Sequence, residues 1–228
     1  MKQLQKVCQI FNYDFKDEKL LKLALTHRSI GANNNERLEF LGDSVLGMVI
    51  SAELFKRFPK EKEGVLTRLR SSLVKGETLS QIATELNLGE YIHLGSGELK
   101  SGGYRRASTL ADAVEAIFGA IYLDSSNEAG IEKIKEIILT IFNSRLDKCE
   151  PNNNLKDPKT RLQEHLQSKN LELPVYHVIS ISGKEHQQTF KVSCVIEGIA
   201  NKVVATGASR RKAEQAAAEK ALTSIIHE

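Results

Sequence analysis

The sequence lacks the features that mark disulfide-bonded, zinc-binding and membrane proteins. Its three cysteines, Cys8, Cys149 and Cys194, are far apart and form no CxxC pair, which favours reduced thiols over a disulfide framework or a zinc site. The N-terminal segment has no unbroken apolar run of the kind found in signal peptides. The most apolar stretch, residues 109–123, contains two acids and is shorter than the roughly 18 apolar residues of a membrane span. We therefore expect a soluble, cytoplasmic protein with no membrane partner.

The sequence also lacks a strong excess of charge of either sign. Its 32 basic and 29 acidic residues give a formal net charge of +3, which is too small to indicate a nucleic-acid partner by itself. With 228 residues and 41% hydrophobic content, the chain is long enough for one or two domains with a substantial core.

The spacing of apolar residues divides the chain into a helical part and a mixed part. Spacing of i, i+3 and i+4 predicts helices near residues 18–26, 36–58, 64–87, 109–124 and 128–147. Residues 149–160 contain two prolines and three consecutive asparagines, which indicates a linker. The pattern beyond it predicts a helix at 157–169, antiparallel strands within 175–183, 186–198 and 199–207, and a helix at 209–226 with Ser209 as N-cap. The expected fold is an all-α domain followed by a small α+β domain with the order α-β-β-β-α.

Two predicted helices each carry closely spaced acids on an otherwise apolar segment. Glu36, Glu39 and Asp43 are spaced by three and four residues, and Asp112 and Glu115 are three apart, so each set shares one helix face. Two carboxylates about 4 Å apart repel each other by roughly 4 kcal/mol at an effective dielectric constant near 20. Such acids beside a core therefore need neutralising partners.

Few bases are close enough in the sequence to supply that charge. Arg37 is the only base within residues 33–50, and residues 109–124 contain none. A divalent cation would neutralise the acids, and oxygen ligands without His or Cys suit Mg²⁺ or Mn²⁺. Spacing alone also allows solvated or capped acidic pairs. Gly42 and Gly47 each cost a helix about 1 kcal/mol relative to Ala, which predicts the close approach of another helix at both.

Longer runs of sequence are similar to a known family. NERLEFLGDSVL (35–46), together with THRS (26–29), KSGGYRRAS (100–108) and LADAVEAIFGAIYLD (110–124), resembles bacterial ribonuclease III. DPKTRLQEHLQ (157–167), GKEHQQTF (183–190) and GASRRKAEQAAAEKAL (207–222) resemble the double-stranded RNA-binding domain of that family. The resemblance covers nearly the whole chain. It implies a nuclease domain at 1–148, a linker at 149–156 and an RNA-binding domain at 157–226.

The resemblance implies an endonuclease that cuts double-stranded RNA with Mg²⁺ as its cofactor. Mn²⁺ is expected to be able to replace Mg²⁺. The expected products carry 5′-phosphates and 3′-hydroxyls with short 3′ overhangs, and the expected substrates are structured precursors such as ribosomal RNA. The positions matching the metal ligands are Glu39, Asp43, Asp112 and Glu115, and Asp43 and Glu115 are the principal catalytic acids.

Two further acids match the periphery of the family's site. Glu36 and Glu63 are expected to support water or metal-linked contacts, although Glu63 also fits a solvated turn.

Phe40 follows Glu39 directly and by sequence alone suits an ordinary core position. The resemblance instead implies that its side chain enters a cavity on a second copy of the chain, as part of a homodimer that brings two sites to one duplex.

The second domain contains candidate RNA contacts in three places. Thr160, Gln163 and Glu164 share a helix face and match positions that contact 2′-hydroxyls in the minor groove. His186, in the loop before the second strand, matches another minor-groove contact. The first turn of the final helix contains three bases, where cations oppose the helix dipole and an incoming phosphate would relieve the conflict. These bases are Arg210, Arg211 and Lys212.

Two other function classes compete with the nuclease. A non-catalytic RNA-binding regulator would be marked by the loss of one of the four central acids, and all four are present. A helical metal-binding scaffold without an RNA role is disfavoured by the basic cluster of the final helix.

Two positions depart from the family pattern, Ala107 in place of a common acid and Ala205 in place of a frequent glycine. They concern only local loop geometry.

Overall fold

The computed structural model describes residues 2–125, 130–151, 157–183, 188–197 and 203–226. The chain forms two compact units, Met1–Pro151 and Asn152–Glu228. The first is helical and the second combines a three-stranded sheet with two helices, which confirms the predicted fold class. Residues 152–156 of the predicted linker lie outside the described residues. No helix in the described part of the chain is long and apolar enough to cross a membrane.

The helices of the first unit follow most of the predicted periodicity. They are α1 (Lys2–Phe11), α2 (Glu18–Ala24), α3 (Glu36–Arg57), α4 (Glu63–Val74), α5 (Gly76–Glu85), α6 (Ser96–Lys100), α7 (Ala107–Ser125) and α8 (Gly130–Leu146), with 3₁₀ turns at Leu88–Glu90 and Gly103–Arg105.

The structure corrects the predicted helices in two places. The single helix expected at 64–87 is two helices, because Lys75 has an extended backbone (φ −65°, ψ 148°) that ends α4 before α5 begins. Residues 75–78 (KGET) contain no apolar residue, so the apolar spacing is interrupted at the break, and this gap was the signal in the sequence. Helix α1 was not predicted, although Val7 and Phe11 are spaced by four residues and are both buried.

Helix α7 is the centre of the first unit. It packs against α2, α3, α5 and α8. Most of its residues are buried, including Ile117, Phe118 and Ile121. A helix that is apolar on nearly every face must be surrounded by other elements. The burial of α7 explains why its sequence is so apolar. It also means that Asp112 and Glu115, which belong to this helix, lie close to the core.

Two glycines allow α3 and α7 to cross at very short range. A Cβ added to Gly42 would lie 1.7 Å from the carbonyl oxygen of Glu115, and one added to Gly119 would lie 2.2 Å from the carbonyl oxygen of Leu38. Only glycine fits at either position. The predicted close approach of another helix is therefore confirmed at Gly42.

The predicted close approach of another helix is wrong at Gly47, where no other helix of the described chain comes near. No described atom lies within 4 Å of a Cβ added there. Gly42 and Gly47 are five residues apart, which places them about 140° apart around the helix. Gly42 faces α7, and Gly47 faces away from it.

The second unit has the predicted α-β-β-β-α order. Its elements are α9 (Pro158–Ser168), β1 (Val175–Ser182), β2 (Thr189–Val195), β3 (Val203–Gly207) and α10 (Arg210–Ile226). The strands are antiparallel in the order β1-β2-β3, and α10 packs on β2, β3 and α9. Leu162, Leu166 and Cys194 form its core with the alanine-rich face of α10. This arrangement leaves the outer face of α9 and the start of α10 at the surface.

We expect Gly42→Ala to destabilise the protein by at least about 2 kcal/mol, because the new methyl group overlaps the backbone of α7. Thermal or denaturant unfolding of the full chain would measure the effect. Gly97→Ala is the matched control, since nothing lies within 4 Å of its added methyl. Equal stability of the two variants would show that the crossing tolerates a wider separation.

Candidate functional site

Three of the predicted acids meet where α3 and α7 cross. Carboxylate oxygens of Glu39 on α3 and of Asp112 and Glu115 on α7 lie within 4.8 Å of one another, and all three residues are half-buried. Gly42 is three residues after Glu39, and its Cβ position is filled by the backbone of Glu115. The close crossing therefore holds the acidic faces of the two helices together. We call these three residues the carboxylate cluster.

The charges of the cluster are poorly balanced. Within the described residues, no hydrogen bond or ion pair reaches the carboxylates of Glu39 and Glu115. Burial and the nearby charges of Asp43, Glu39 and Asp112 raise the pKa of Glu115 from 4.5 to about 8. Burial and the charge of Asp112 raise the pKa of Glu39. Burial also raises the pKa of Asp112.

Asp124, at the end of the same helix, shows how the protein stabilises an acid that serves only structure. Its carboxylate accepts hydrogen bonds from the Tyr13 hydroxyl (2.7 Å) and from the backbone N–H groups of Lys16 and Asp17 (both 2.9 Å). Burial would raise its pKa, but the three donors outweigh burial and the pKa is lowered. The carboxylate cluster has no comparable set of donors. It therefore has the chemistry of a cation site rather than of a structural acid.

The other two acids of α3 lie beside the cluster. Asp43 is exposed and outside the group of mutually close oxygens, but its charge raises the pKa of both Glu115 and Glu39. Glu36 is exposed and pairs with Arg28 at 3.7 Å. Its charge also raises the pKa of Glu39 and Asp112. The structure thus places both acids at the periphery of the cluster.

The structure brings two bases to the cluster that the sequence analysis left without a role. Arg28 lowers the pKa of Glu39 and Asp112, and His27 lowers that of Asp112, in each case against the larger effect of burial. Both belong to the THRS segment, eight or more residues before α3. Neither base lies within the acidic helices, so closeness in the sequence to the acids does not reveal them, although the THRS segment is itself a visible signal.

Phe40 and Glu63 lie outside the cluster. The side chain of Phe40 is 78% exposed, which rules out a core position within the chain itself. Glu63 begins α4 and accepts a hydrogen bond from the Thr67 hydroxyl at 2.7 Å. It lines an apolar pocket between α3 and α4 with a volume of about 340 Å³, together with Leu54 and Phe55.

The candidate RNA contacts of the second unit lie at its surface. Thr160, Gln163 and Glu164 are all exposed on α9. The three bases that begin α10 are exposed as well: Arg210, Arg211 and Lys212. The predicted contact His186 lies outside the described residues.

Two of these bases have acidic partners inside the unit, which the sequence analysis did not anticipate. Arg210 donates to Glu214 at 2.9 Å, and Arg211 lies 3.8 Å from Asp157 at the start of α9. Glu214 is buried and also accepts from Lys159 at 2.7 Å, an interaction that lowers the pKa of Glu214. The conflict of the first-turn bases with the helix dipole is therefore partly relieved within the protein. An RNA phosphate is not needed to explain their presence.

Comparison with known families gives two matches along the chain. Residues 17–142 match the family model described as ribonuclease-III-like. Residues 158–225 match the double-stranded RNA binding motif. The first match contains the carboxylate cluster, and the second contains the exposed faces of α9 and α10.

Individual relatives match over nearly the full length. Ribonuclease 3 of Vibrio parahaemolyticus is 54% identical over 224 residues, which cover 98% of each chain. Ribonuclease 3 of Pseudoalteromonas translucida is 52% identical and covers 100% of this chain and 99% of its own. The crystal structure of the nuclease domain of ribonuclease III from Campylobacter jejuni is 44% identical with a TM-score of 0.61, and the alignment covers 66% of this chain and all of that one.

The raised pKa of Glu115 predicts a pH dependence of stability in the metal-free protein. In the unfolded chain this carboxyl ionises near its ordinary 4.5, and in the folded protein near 8. The folded state thus binds more protons, so the free energy of unfolding falls as pH rises between these values. Glu115→Gln should reduce this slope and raise stability at pH 8 by on the order of 1 kcal/mol, after allowance for partial solvent exposure.

Thermal unfolding in a chelating buffer from pH 5 to 9 would measure this slope. The exposed Glu90 provides the control, because Glu90→Gln removes one charge without touching the cluster. An unchanged slope in Glu115→Gln would contradict the assignment of this titration to the cluster.

Proposed function

The chain belongs to the ribonuclease III family and is a double-stranded RNA endoribonuclease, and on this premise we propose that it hydrolyses phosphodiester bonds with Mg²⁺ at the carboxylate cluster. The observation that carries the proposal is the meeting of Glu39, Asp112 and Glu115 without neutralising partners. The oxygen-only donor set suits Mg²⁺, with Mn²⁺ as a substitute.

We assign the metal-holding role to Glu39, Asp112, Glu115 and Asp43. Asp43 is one helical turn beyond Glu39 on the same face of α3, and its charge already acts on Glu115. A bound ion would supply a Lewis acid that activates water and stabilises the leaving oxygen. We assign Asp43 and Glu115 the principal catalytic roles, and Glu36 a supporting one.

The finer properties of the reaction are proposals from the family resemblance. They are 5′-phosphate and 3′-hydroxyl ends with short 3′ overhangs, and structured precursors such as ribosomal RNA as substrates. We also propose the domain limits 1–148, 149–156 and 157–226. A cytoplasmic location is supported by the free thiols of Cys8, Cys149 and Cys194, since reduced cysteines are typical of that compartment.

For the second unit, we propose that α9 and α10 together bind the RNA duplex. The exposed Thr160, Gln163 and Glu164 would contact 2′-hydroxyls in a minor groove, which distinguishes RNA from DNA. The bases at the start of α10 would contact phosphates, and Lys212 has no acidic partner among the described residues. The ion pairs from Glu214 to Lys159 and Arg210 support this by fixing the two helix starts relative to each other. His186 keeps its proposed role as a further contact.

We further propose a homodimer formed by antiparallel packing of α3 against α3 of a second copy. Phe40, Met48 and Phe55 are exposed apolar residues of this helix, by 78%, 51% and 72%. A second solved structure of the nuclease domain of ribonuclease III from Campylobacter jejuni is 45% identical, with a TM-score of 0.59, and covers 62% of this chain and 96% of that one. It is described as showing structural flexibility in the region involved in dimer formation.

The positions along α3 fit such a two-fold arrangement. In antiparallel packing of identical helices, paired residue numbers have a constant sum. If Phe40 of one copy enters the pocket at Leu54 and Phe55 of the other, the axis passes near residue 47. Gly47 is at this point and has open space around its Cβ position, so the second helix can approach closely. An isologous contact of this kind is self-complementary.

This arrangement also gives Glu63 a role. Glu63 lines the pocket that would receive Phe40, and Phe40 directly follows Glu39. Docking would bring Glu63 of one copy towards the carboxylate cluster of the other. Glu63 would then support the site across the dimer rather than within its own chain.

The proposed reaction is tested with long duplex RNA, with and without Mg²⁺. We expect cutting only with the divalent ion, and we expect Glu115→Gln to bind the duplex normally but to lose at least about 10³-fold in cutting rate, because it removes a charged ligand of the cluster. Gel analysis of products and filter binding provide the two measurements. If the unaltered protein bound the duplex but did not cut it, the result would favour the alternative of a non-catalytic RNA-binding regulator. Cutting without divalent ions would refute the proposed mechanism.

The proposed dimer is tested by light scattering during size-exclusion chromatography. Phe40→Ala should weaken dimerisation by at least about tenfold, since a buried aromatic anchor is removed. Gly47→Lys should weaken it further, because two like charges would meet at the axis. Gly97→Lys adds the same side chain into open space on α6 and should leave the dimer intact. Unchanged dimerisation of Phe40→Ala and Gly47→Lys would place the interface elsewhere.

A further inference from the structure

The segment Thr26–Ser29 is an irregular loop held in one position by backbone hydrogen bonds. The His27 N–H donates to the carbonyl oxygen of His93 at 3.0 Å, and the His93 N–H donates to that of Leu25 at 2.8 Å. The Asn35 N–H donates to the carbonyl oxygen of Thr26 at 2.9 Å, immediately before α3. The loop is thus connected both to the segment at residue 93 and to the helix that carries Glu39.

Ser29 fixes the other end of the loop and the state of its histidine. The Ser29 hydroxyl accepts the Gly95 N–H at 2.8 Å and lies 2.8 Å from Nδ1 of His27. The Ser29 N–H donates to the same Nδ1 at 3.2 Å. Because a backbone N–H can only donate, Nδ1 must accept, and the hydroxyl therefore donates to it as well. The neutral imidazole then carries its proton on Nε2, which becomes a hydrogen-bond donor.

Arg28 extends from this rigid loop beside the acids. Its side chain is 71% exposed, and its only acidic partner among the described residues is Glu36 at 3.7 Å, a separation too long for a strong hydrogen bond. Its charge nevertheless lowers the pKa of Glu39 and Asp112. Glu36 is three residues before Glu39 on the same face of α3, so its partner Arg28 lies beside the cluster. The guanidinium is weakly held there, which leaves its donors accessible to another anion.

The charge of the site shows why such a donor is needed. A phosphodiester that approaches the carboxylate cluster meets several negative charges of its own sign. Cations held by the acids would offset part of this repulsion, and fixed positive groups beside the cluster would offset more. Arginine suits this task because its planar guanidinium can donate two parallel hydrogen bonds to phosphate oxygens.

We propose that the loop Thr26–Ser29 is the binding site for the RNA phosphate that reacts at the cluster. Arg28 donates to the non-bridging oxygens of this phosphodiester, Nε2–H of His27 supplies a second donor, and Ser29 is a positioning residue that fixes the loop and the imidazole. The inference rests on the proposed nuclease function and assigns the substrate-contacting residues at its site.

Arg28→Ala tests the proposal in single-turnover cleavage with saturating enzyme. We expect the maximal rate to fall roughly tenfold to a hundredfold, the loss typical of a charged donor at a reacting oxygen. The affinity for duplex RNA should change less than about threefold, since most phosphate contacts lie elsewhere. Arg28→Lys should recover part of the rate, because it keeps the charge and loses the paired donors.

The dependence on Mg²⁺ separates substrate contact from a structural role. Arg28→Ala removes a positive charge beside the acids, so the Mg²⁺ concentration for half-maximal cutting should stay constant or fall. A variant that merely disturbed the cluster would need more Mg²⁺. The control is Lys19→Ala, which removes one exposed charge on α2 and should leave the rate unchanged. Lys19 is two residues from Asp17, whose backbone N–H donates to Asp124 at the far end of α7 from the cluster.

Two substitutions test the imidazole separately. His27→Gln places an amide donor near the position of Nε2, whereas His27→Asn reaches only to that of Nδ1. The Gln variant should retain more activity, and the reverse order would overturn the role of His27. A normal maximal rate in Arg28→Ala, or equal losses in Arg28→Ala and Lys19→Ala, would overturn the proposal while the nuclease function stands. Absence of cutting by the unaltered protein would instead refute the function itself.

Discussion

At the crossing of α3 and α7, backbone atoms of Leu38 and Glu115 occupy the space in which side chains of residues 42 and 119 would lie. This contact determines the distance between the two helices. Because α7 is surrounded by other helices on nearly all sides, the packing of the helix sets the backbone positions of its acids. The crossing thus brings Glu39 within reach of Asp112 and Glu115, and the chemistry of the first unit depends on it.

The raised pKa values of the clustered acids show that their charged forms are unfavourable in this arrangement. Asp124, on the same helix, receives three hydrogen bonds and ionises easily. Glu115 receives none among the described residues and holds its proton to about pH 8. The protein therefore leaves Glu115 without hydrogen-bond donors among the described residues, while it supplies three donors to Asp124 near the other end of α7. Such a contrast is typical of functional sites, where a ligand rather than the protein balances the charge.

In the second unit, the bases that begin α10 are paired with acidic residues of the same unit. Arg210 and Arg211, which begin α10, pair with Glu214 and Asp157. The Arg211–Asp157 pair and the hydrogen bond from Lys159 to Glu214 connect α10 to the start of α9, so the two surfaces proposed to contact RNA have a fixed relative position within the unit. The same bases can stabilise the fold and contact phosphate. The helix dipole therefore accounts for their clustering only in part, and their contact with RNA remains a prediction.

The sequence by itself determined the two-part fold, the α-β-β-β-α order of the second unit and the acidic faces, because these depend on patterns along the chain. It also identified Gly42 as a close contact. The break at Lys75 was missed although residues 75–78 contain no apolar residue, since a gap of one turn is also common within a continuous helix. The close neighbour expected at Gly47 is not supplied by the described part of the chain. Only the tertiary structure decided that Asp43 lies beside the cluster and that Arg28 and His27 reach it. These relations depend on how distant segments cross and on hydrogen bonds between them, which periodicity does not encode.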